Sequence, residues 1–245
     1  MISNPFTGAS YLFRGLGLIN RPGVRKHVII PLFINILIFA GLIWLLASQF
    51  DVLLEWMMPT LPDWLAWLDS LLWFIFVVTT AIAVFFSFSI LANLVGSPFN
   101  SFLSAAVEKH LTGRSPISDV GFMQETVKAI SGEIRKMLLF AVIAIGLLII
   151  TLIPVINLAA PVLWVIFSAW MLSIEYLDYP LGNQGLSFPE IRRVIQQKRF
   201  LSLGFGGIVM LATLIPVFNF LVMPVAVAGA TALRVEQFKS GTQTH

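Results

Sequence analysis

The sequence contains no cysteine among its 245 residues, so it cannot build a disulfide framework, a thiolate metal site or a cysteine nucleophile. Charge is scarce as well: 11% of residues are Asp, Glu, Lys or Arg, against roughly a quarter in a soluble domain. Only three histidines occur and the carboxylates are scattered. No HExxH, GxSxG, Walker or dinucleotide pattern is present, so zinc, acyl-transfer and nucleotide chemistry have no anchor. An enzyme is therefore not expected, nor is a metal or cofactor. There is no Lys/Arg-rich tract of the kind that binds nucleic acid. What the chain does have is apolar sequence, 58% of it, in runs too long and too numerous for the core of a water-soluble domain. This composition is that of an all-α integral membrane protein. The first run begins at Val28, behind a polar N-terminal segment, so a cleaved signal peptide is not expected.

Four apolar regions stand out. Those at 28–50 and 71–95 each exceed the ~20 residues that cross roughly 30 Å of hydrocarbon, and both are expected to span. The loop between them carries Asp51, Glu55, Asp63 and Asp69 but no Lys or Arg, with Trp56, Trp64, Trp67 and Trp73 suited to a membrane interface. All 15 basic residues lie elsewhere, and the positive-inside rule puts them on the cytoplasmic side. Regions three (137–177) and four (200–233) must then leave that side and return to it, so each is a hairpin.

Pro154 and Pro161 break region three, and Pro216 and Pro224 break region four. The breaks form an internal repeat: TLIPVINLAAPV and TLIPVFNFLVMPV share Thr-Leu-Ile-Pro-Val-x-Asn followed by Pro-Val. Arms of about 17 residues before Pro154 and about 9 after Pro224 are short for full crossings, which favours re-entrant, half-penetrating hairpins. Six ordinary kinked helices are the alternative, and charge cannot separate the two. In either case the tips near Asn157 and Asn219 need protein or water around them.

Between region two and region three, Val120, Met123, Val127, Ile130, Ile134 and Met137 recur at steps of three and four, one apolar face of a cytoplasmic amphipathic helix. Phe99, Phe102, Leu103, Ala106 and Val107 continue the second span's helix until Gly113 ends it. Ser187-Phe188-Pro189-Glu190 announces a further short helix through its capping-box spacing. No separate soluble domain emerges, and residues 1–245 read as one membrane domain.

The stretch Arg21-Pro22-Gly23-Val24-Arg25-Lys26 stands directly before the first span. Pro22-Gly23 signals a turn, and the first N–H groups of the following helix, near Gly23 and Val24, lack carbonyl partners. Cations at a helix N-terminus oppose the dipole, so Arg25 and Lys26 make electrostatic sense there with an anion between them. The simpler alternative is a set of membrane anchors that bind lipid phosphates and set orientation.

GLGLINRPGVRKHVIIPLFINI resembles the signature of the CysZ family of bacterial inner-membrane sulfate transporters. PDWLAWLDSLLW, SPFNSFLSAAVEKHLTG, APVLWVIFSAWMLSIEYLDYP and VMPVAVAGATA also look like family segments in the same order, so the likeness covers nearly the whole chain. It implies channel-like sulfate entry across the inner membrane for cysteine biosynthesis, in a homo-oligomer thought to be a hexamer. It also implies sulfate binding by the backbone of Gly23 and Val24 and the side chains of Arg25 and Lys26. Lysine at position 26 departs from the commoner arginine and lacks the planar fork that grips an oxyanion bidentately. Two long spans with two half-penetrating hairpins is also the fold that the resemblance implies. Protomers of both orientations, thought to occur in the family, fit poorly with the one-sided charge seen here.

A dianion crossing the bilayer needs donors, cations or water along its path. Asn35, Asn100, Asn157 and Asn219, with the hydroxyls of Thr151 and Thr213, are uncharged candidates, interhelical bonding being the alternative for each. Glu108 and Glu175 repel sulfate and are expected to pair with a base such as Arg135 or to carry a coupling proton. Sulfate, with sulfite as a related oxyanion, and the lipid bilayer are the expected partners. A membrane scaffold or regulator of another transporter, with no flux of its own, is the competing function.

Overall fold

The computed structural model describes residues 4–57, 67–114, 116 and 122–238, and the secondary structure among them is helical. In chain order the helices are α1 (Pro5–Leu18), α2 (Lys26–Met57), α3 (Asp69–Thr112), α4 (Phe122–Leu152), α5 (Ala160–Gly182), α6 (Phe188–Gln197), α7 (Arg199–Thr213) and α8 (Pro216–Gln237). A short 3-10 turn at Ile156–Ala159 precedes α5. Asp63, Trp64 and Val120 lie outside the described residues, as do the side chains of Asn35, Asp51, Trp56 and residues 122–130. Two compact units are present: 1–29 with 97–245, and 30–96.

The segment before the first span is helical rather than merely polar. Asn4 caps α1, its side-chain oxygen accepting the Phe6 N–H at 2.9 Å, and Pro5 occupies the first turn, where its missing N–H costs nothing. The α1 helix packs on both α7 and α8 through small residues: a Cβ on Gly8 would meet the backbone of Leu201, and one on Gly15 the backbone of Val225 and Gly229. Without side chains at the contact the backbones approach closely, as in packed membrane helices. Tyr11, Leu12 and Leu18 bury the rest of that face.

Three stretches are long and apolar enough to cross a membrane: Lys26–Leu45, Ile134–Leu152 and Ile156–Gly182. In the first, Ile29, Phe33, Ile36, Phe39 and Trp44 point outward, as lipid-facing side chains do. In α3 the helix runs on past the apolar part to Thr112 and ends at Gly113, whose φ of 75° matches the expected stop.

Regions three and four differ from expectation. The amphipathic stretch and the first arm of region three form one uninterrupted helix, α4, so that arm is longer than the segment counted from residue 137. Pro161 and Pro224 do not break anything. Pro161 opens α5, and Pro224 sits inside α8, where Val222 and residues 225–228 are buried and packing holds the helix through the lost hydrogen bond. Only Pro154 and Pro216 stand at the interruptions. The repeat is visible in the backbone: Asn157 and Asn219 each donate an N–H to the isoleucine preceding the proline, Ile153 at 3.0 Å and Ile215 at 2.9 Å. The copies then diverge, because Val155 takes a left-handed φ of 72° before the 3-10 turn whereas Pro216 starts α8 at once.

At the centre of the first unit lies α8, with Val225, Ala226, Val227, Ala228, Ala230, Ala232 and Leu233 all inaccessible. Apolar around most of its circumference, α8 is buried among α1, α5 and α7, with Thr231 and Arg234 turned toward α3. Between α5 and α7 the contact is again backbone-close, at Gly206 against Ala169 and Ser173.

Candidate functional site

The link from α1 to α2 is the turn that carries RPGVRK. Val24 anchors it: its side chain is 1% exposed and belongs to the apolar core. Arg21, Pro22, Gly23, Arg25 and Lys26 are all exposed around it. Gly23 adopts φ 85°, a region closed to most side chains, and nothing lies within 4 Å of where its Cβ would be. Together Asn20, Pro22, Gly23, Arg25 and Lys26 line an open cleft of about 370 Å³.

The backbone donors of this turn are only partly available. The N–H groups of Val24 and Arg25 both donate to the carbonyl of Arg21 at 3.1 Å, because the turn closes on itself before α2 begins. Val24 therefore does not offer the unpaired N–H expected of it; Gly23 has no such partner among the described residues. The ring of His27 lies with Nδ1 3.1 Å from the Gly23 carbonyl and braces the turn from the first turn of α2.

A second polar constellation runs between α3, α4, α5 and α8. Asn100, Ser104 and Glu108 recur every four residues on one face of α3 and are all buried. The Asn100 amide donates to the Tyr179 hydroxyl at 3.3 Å, and that hydroxyl donates to Glu175 at 3.3 Å. Ser104 shares a hydrogen bond of 2.9 Å with Thr231. Glu108 accepts from Arg234 at 2.6 Å and from Gln184 at 3.1 Å. Burial pushes the Glu108 carboxyl above its ordinary range, with Arg234 and Gln184 acting in the opposite direction.

Lys136 is 1% exposed and holds two carboxylates, Glu175 at 3.0 Å and Asp178 at 3.1 Å, with its ammonium 5.2 Å from the Tyr179 ring centre. Ion pairing of Glu108 and Glu175 thus holds, but with Arg234 and Lys136 in place of Arg135. Successive residues on a helix point about 100° apart, so α4 turns Lys136 toward α5 and leaves Arg135 exposed.

The remaining candidates scatter. Asn157 and Asn219 are exposed at the two interruptions, while Asn100 lies in the buried seam. Thr151 bonds back to Leu147 at 2.8 Å and accepts from the Trp164 indole at 3.2 Å, which ties α4 to α5; Thr213 bonds back to Met210 at 2.7 Å. Sequence reasoning missed Lys136, Arg234 and Gln184 as partners. The one available signal was that each is a polar residue beside an apolar run, the setting in which a charge needs a partner. Among the described residues no group of histidines and carboxylates could hold a metal.

Comparison with known proteins bears on nearly the full length. A family model described as "Sulfate transporter CysZ/Etoposide-induced protein 2.4" matches residues 11–224. A protein of Pseudomonas fluorescens (strain Pf0-1) named "Sulfate transporter CysZ" is 44% identical over 234 residues, 94% of each chain. One of the same name from Pseudomonas syringae pv. tomato is 43% identical over 94% of this chain and 92% of its own. Another from Pseudomonas aeruginosa (strain LESB58) is 41% identical over 94% and 95%. With its membrane-length apolar helices and this end-to-end similarity, the chain belongs to the sulfate transporter CysZ family.

Proposed function

We propose that this protein carries sulfate across a bacterial inner membrane by a channel-like path, as a multi-pass homo-oligomer, supplying sulfur for cysteine biosynthesis. The observation that carries the reading is the RPGVRK turn. It presents two exposed cations and an open glycine backbone around one cleft, on a chain 44% identical to a protein named as a sulfate transporter. Gly23 would offer its N–H at close range, Arg25 a guanidinium fork, and Lys26 a point charge to the oxyanion. Val24 has a different part: its buried side chain holds the turn to the core so that the donors stay aligned.

The chain is proposed to act as one membrane unit. The α7–α8 hairpin suits half-penetration, since the 15 residues of α7 extend ~22 Å at 1.5 Å per residue, short of the hydrocarbon thickness. The two arms of region three are 19 and 27 residues long, enough to reach the far side and return, which keeps the same charge parity.

Uptake of labelled sulfate into liposomes containing the purified protein tests the reading. The parent is expected to give flux, and an equally inserted Arg25→Ala/Lys26→Ala variant at least ~10-fold less, given about 1.5–3 kcal/mol for each charge-assisted hydrogen bond. Unchanged flux in the variant would reduce those cations to membrane anchors. Absence of flux from both would favour the scaffold or regulator.

A further inference from the structure

Away from the RPGVRK turn, a second cavity of about 260 Å³ opens where α4 and α5 meet the connection to α6. Its size is near the lower end of metabolite pockets. Charges of opposite sign line it from two helices: Arg135 from α4 and Asp178 from α5. The Arg135 guanidinium has no ion-pair partner among the described residues. Asp178 engages Lys136 through Oδ2, at 3.1 Å, and its other oxygen has no partner among the described residues. Taking Arg135 and Lys136 with Glu175 and Asp178, cations and carboxylates balance, so a lone anion or cation gains little by entering. A molecule carrying both charges gains at both groups. Leu186 and Phe188 add an apolar patch beside the charged pair.

We propose that this cavity is a binding site for a small zwitterion of the α-amino acid class. The carboxylate sits on Arg135, the ammonium on the free oxygen of Asp178, and a short side chain lies against Leu186 and Phe188. Two glycines leave the room: Gly132 in α4 and Gly182 at the end of α5 both line the cavity, and a Cβ on either meets no atom within 4 Å. A side chain placed there fills the site without moving backbone, and in the interior of α4 it also favours the helix.

The full-length protein in detergent is titrated calorimetrically with glycine, L-serine and L-valine. Propionate and ethylamine serve as probes that carry one charge each. Saturable binding is expected from at least one amino acid, with propionate and ethylamine at least about 10-fold weaker. Gly132→Leu, with a parental unfolding temperature, is expected to weaken the amino acid by about 10-fold or more; should that variant not fold, Gly182→Ala takes its place. Three results overturn the assignment: no saturable heat from any of the three amino acids, undiminished affinity in a folded cavity-filling variant, or propionate binding as tightly as the amino acid. Because binding is read without transport, loss of the sulfate reading would leave this result standing.

Discussion

At the scale of single residues, the α1–α2 turn divides its work between a buried anchor and exposed donors. Gly23 holds a backbone conformation that an L side chain enters at a cost of roughly 1 kcal/mol, so Gly23→Ala is expected to weaken sulfate binding about fivefold while helical content is unchanged. Calorimetric titration with sulfate, beside a circular dichroism spectrum, decides it. Lys26→Arg restores a planar fork and should tighten sulfate binding in the same titration. Equal affinity would show that position 26 acts only as a point charge. Elsewhere, Glu190 accepts the Ser187 hydroxyl and, at 2.7 Å, the Ser187 N–H, and these bonds in that order hold its carboxyl below the usual value of 4.5. A depressed folded value means the ionised form is favoured by folding. Its stabilisation is present above pH 4.5 and lost as pH falls through the depressed value. Glu190→Ala should therefore lower the unfolding temperature at pH 7, with the difference from the parent closing toward acid pH. The capping box was legible in Ser187-Phe188-Pro189-Glu190 because both partners are local. Lys136 was not, because nothing within a turn of it shows that α5 returns with two carboxylates.

At the scale of elements, the contacts that matter are between backbones and between buried charges. A methyl group on Gly15 runs into the backbone of α8, so Gly15→Ala should destabilise by about 1–3 kcal/mol, read as a fall of several degrees in unfolding temperature. Gly17→Ala, which meets nothing within 4 Å, is the matched control and should not destabilise. In the seam, Lys136→Met strands two carboxylates in a largely buried site, and a loss of about 3–5 kcal/mol is expected in denaturant or thermal unfolding. Adding Glu175→Gln and Asp178→Asn to that variant should restore most of it, since a neutral seam no longer needs the ammonium. Failure of the triple variant to recover would mean that the charges position α5 as well as neutralise one another. Both expectations depend on tertiary neighbours. Apolar runs and, before region three, steps of three and four announced most of these helices, whereas α1 was not expected, and only packing reveals which glycines meet a backbone.

At the scale of the whole molecule, two physical constraints act on different distances. Under the positive-inside expectation, which puts all 15 basic residues on one side, each proposed hairpin has to return to its starting side within the membrane thickness. The absence of cysteine makes the depth of the hairpins directly testable: single cysteines at Asn157 and Asn219 report accessibility without background. A half-penetrating α7–α8 hairpin predicts that the Asn219 position is not labelled by an impermeant maleimide from the non-cytoplasmic side; labelling there would establish a full crossing.

Membrane-length apolar helices, helical structure among the described residues, the sequence repeat at Pro154 and Pro216, the end of α3 at Gly113 and the position of the cationic turn were all determined by the sequence by itself. Each depends on composition, hydropathy over a membrane-length window, or neighbours within one helical turn. Tertiary structure alone decided that Val24 anchors the turn with its own N–H bonded to Arg21, that Pro224 is absorbed within α8, and that Glu108 and Glu175 pair with Arg234 and Lys136. Partners such as Glu108 and Arg234, 126 positions apart, meet only once the helices have packed, and which side chain then faces inward depends on the rotation of each helix against its neighbours.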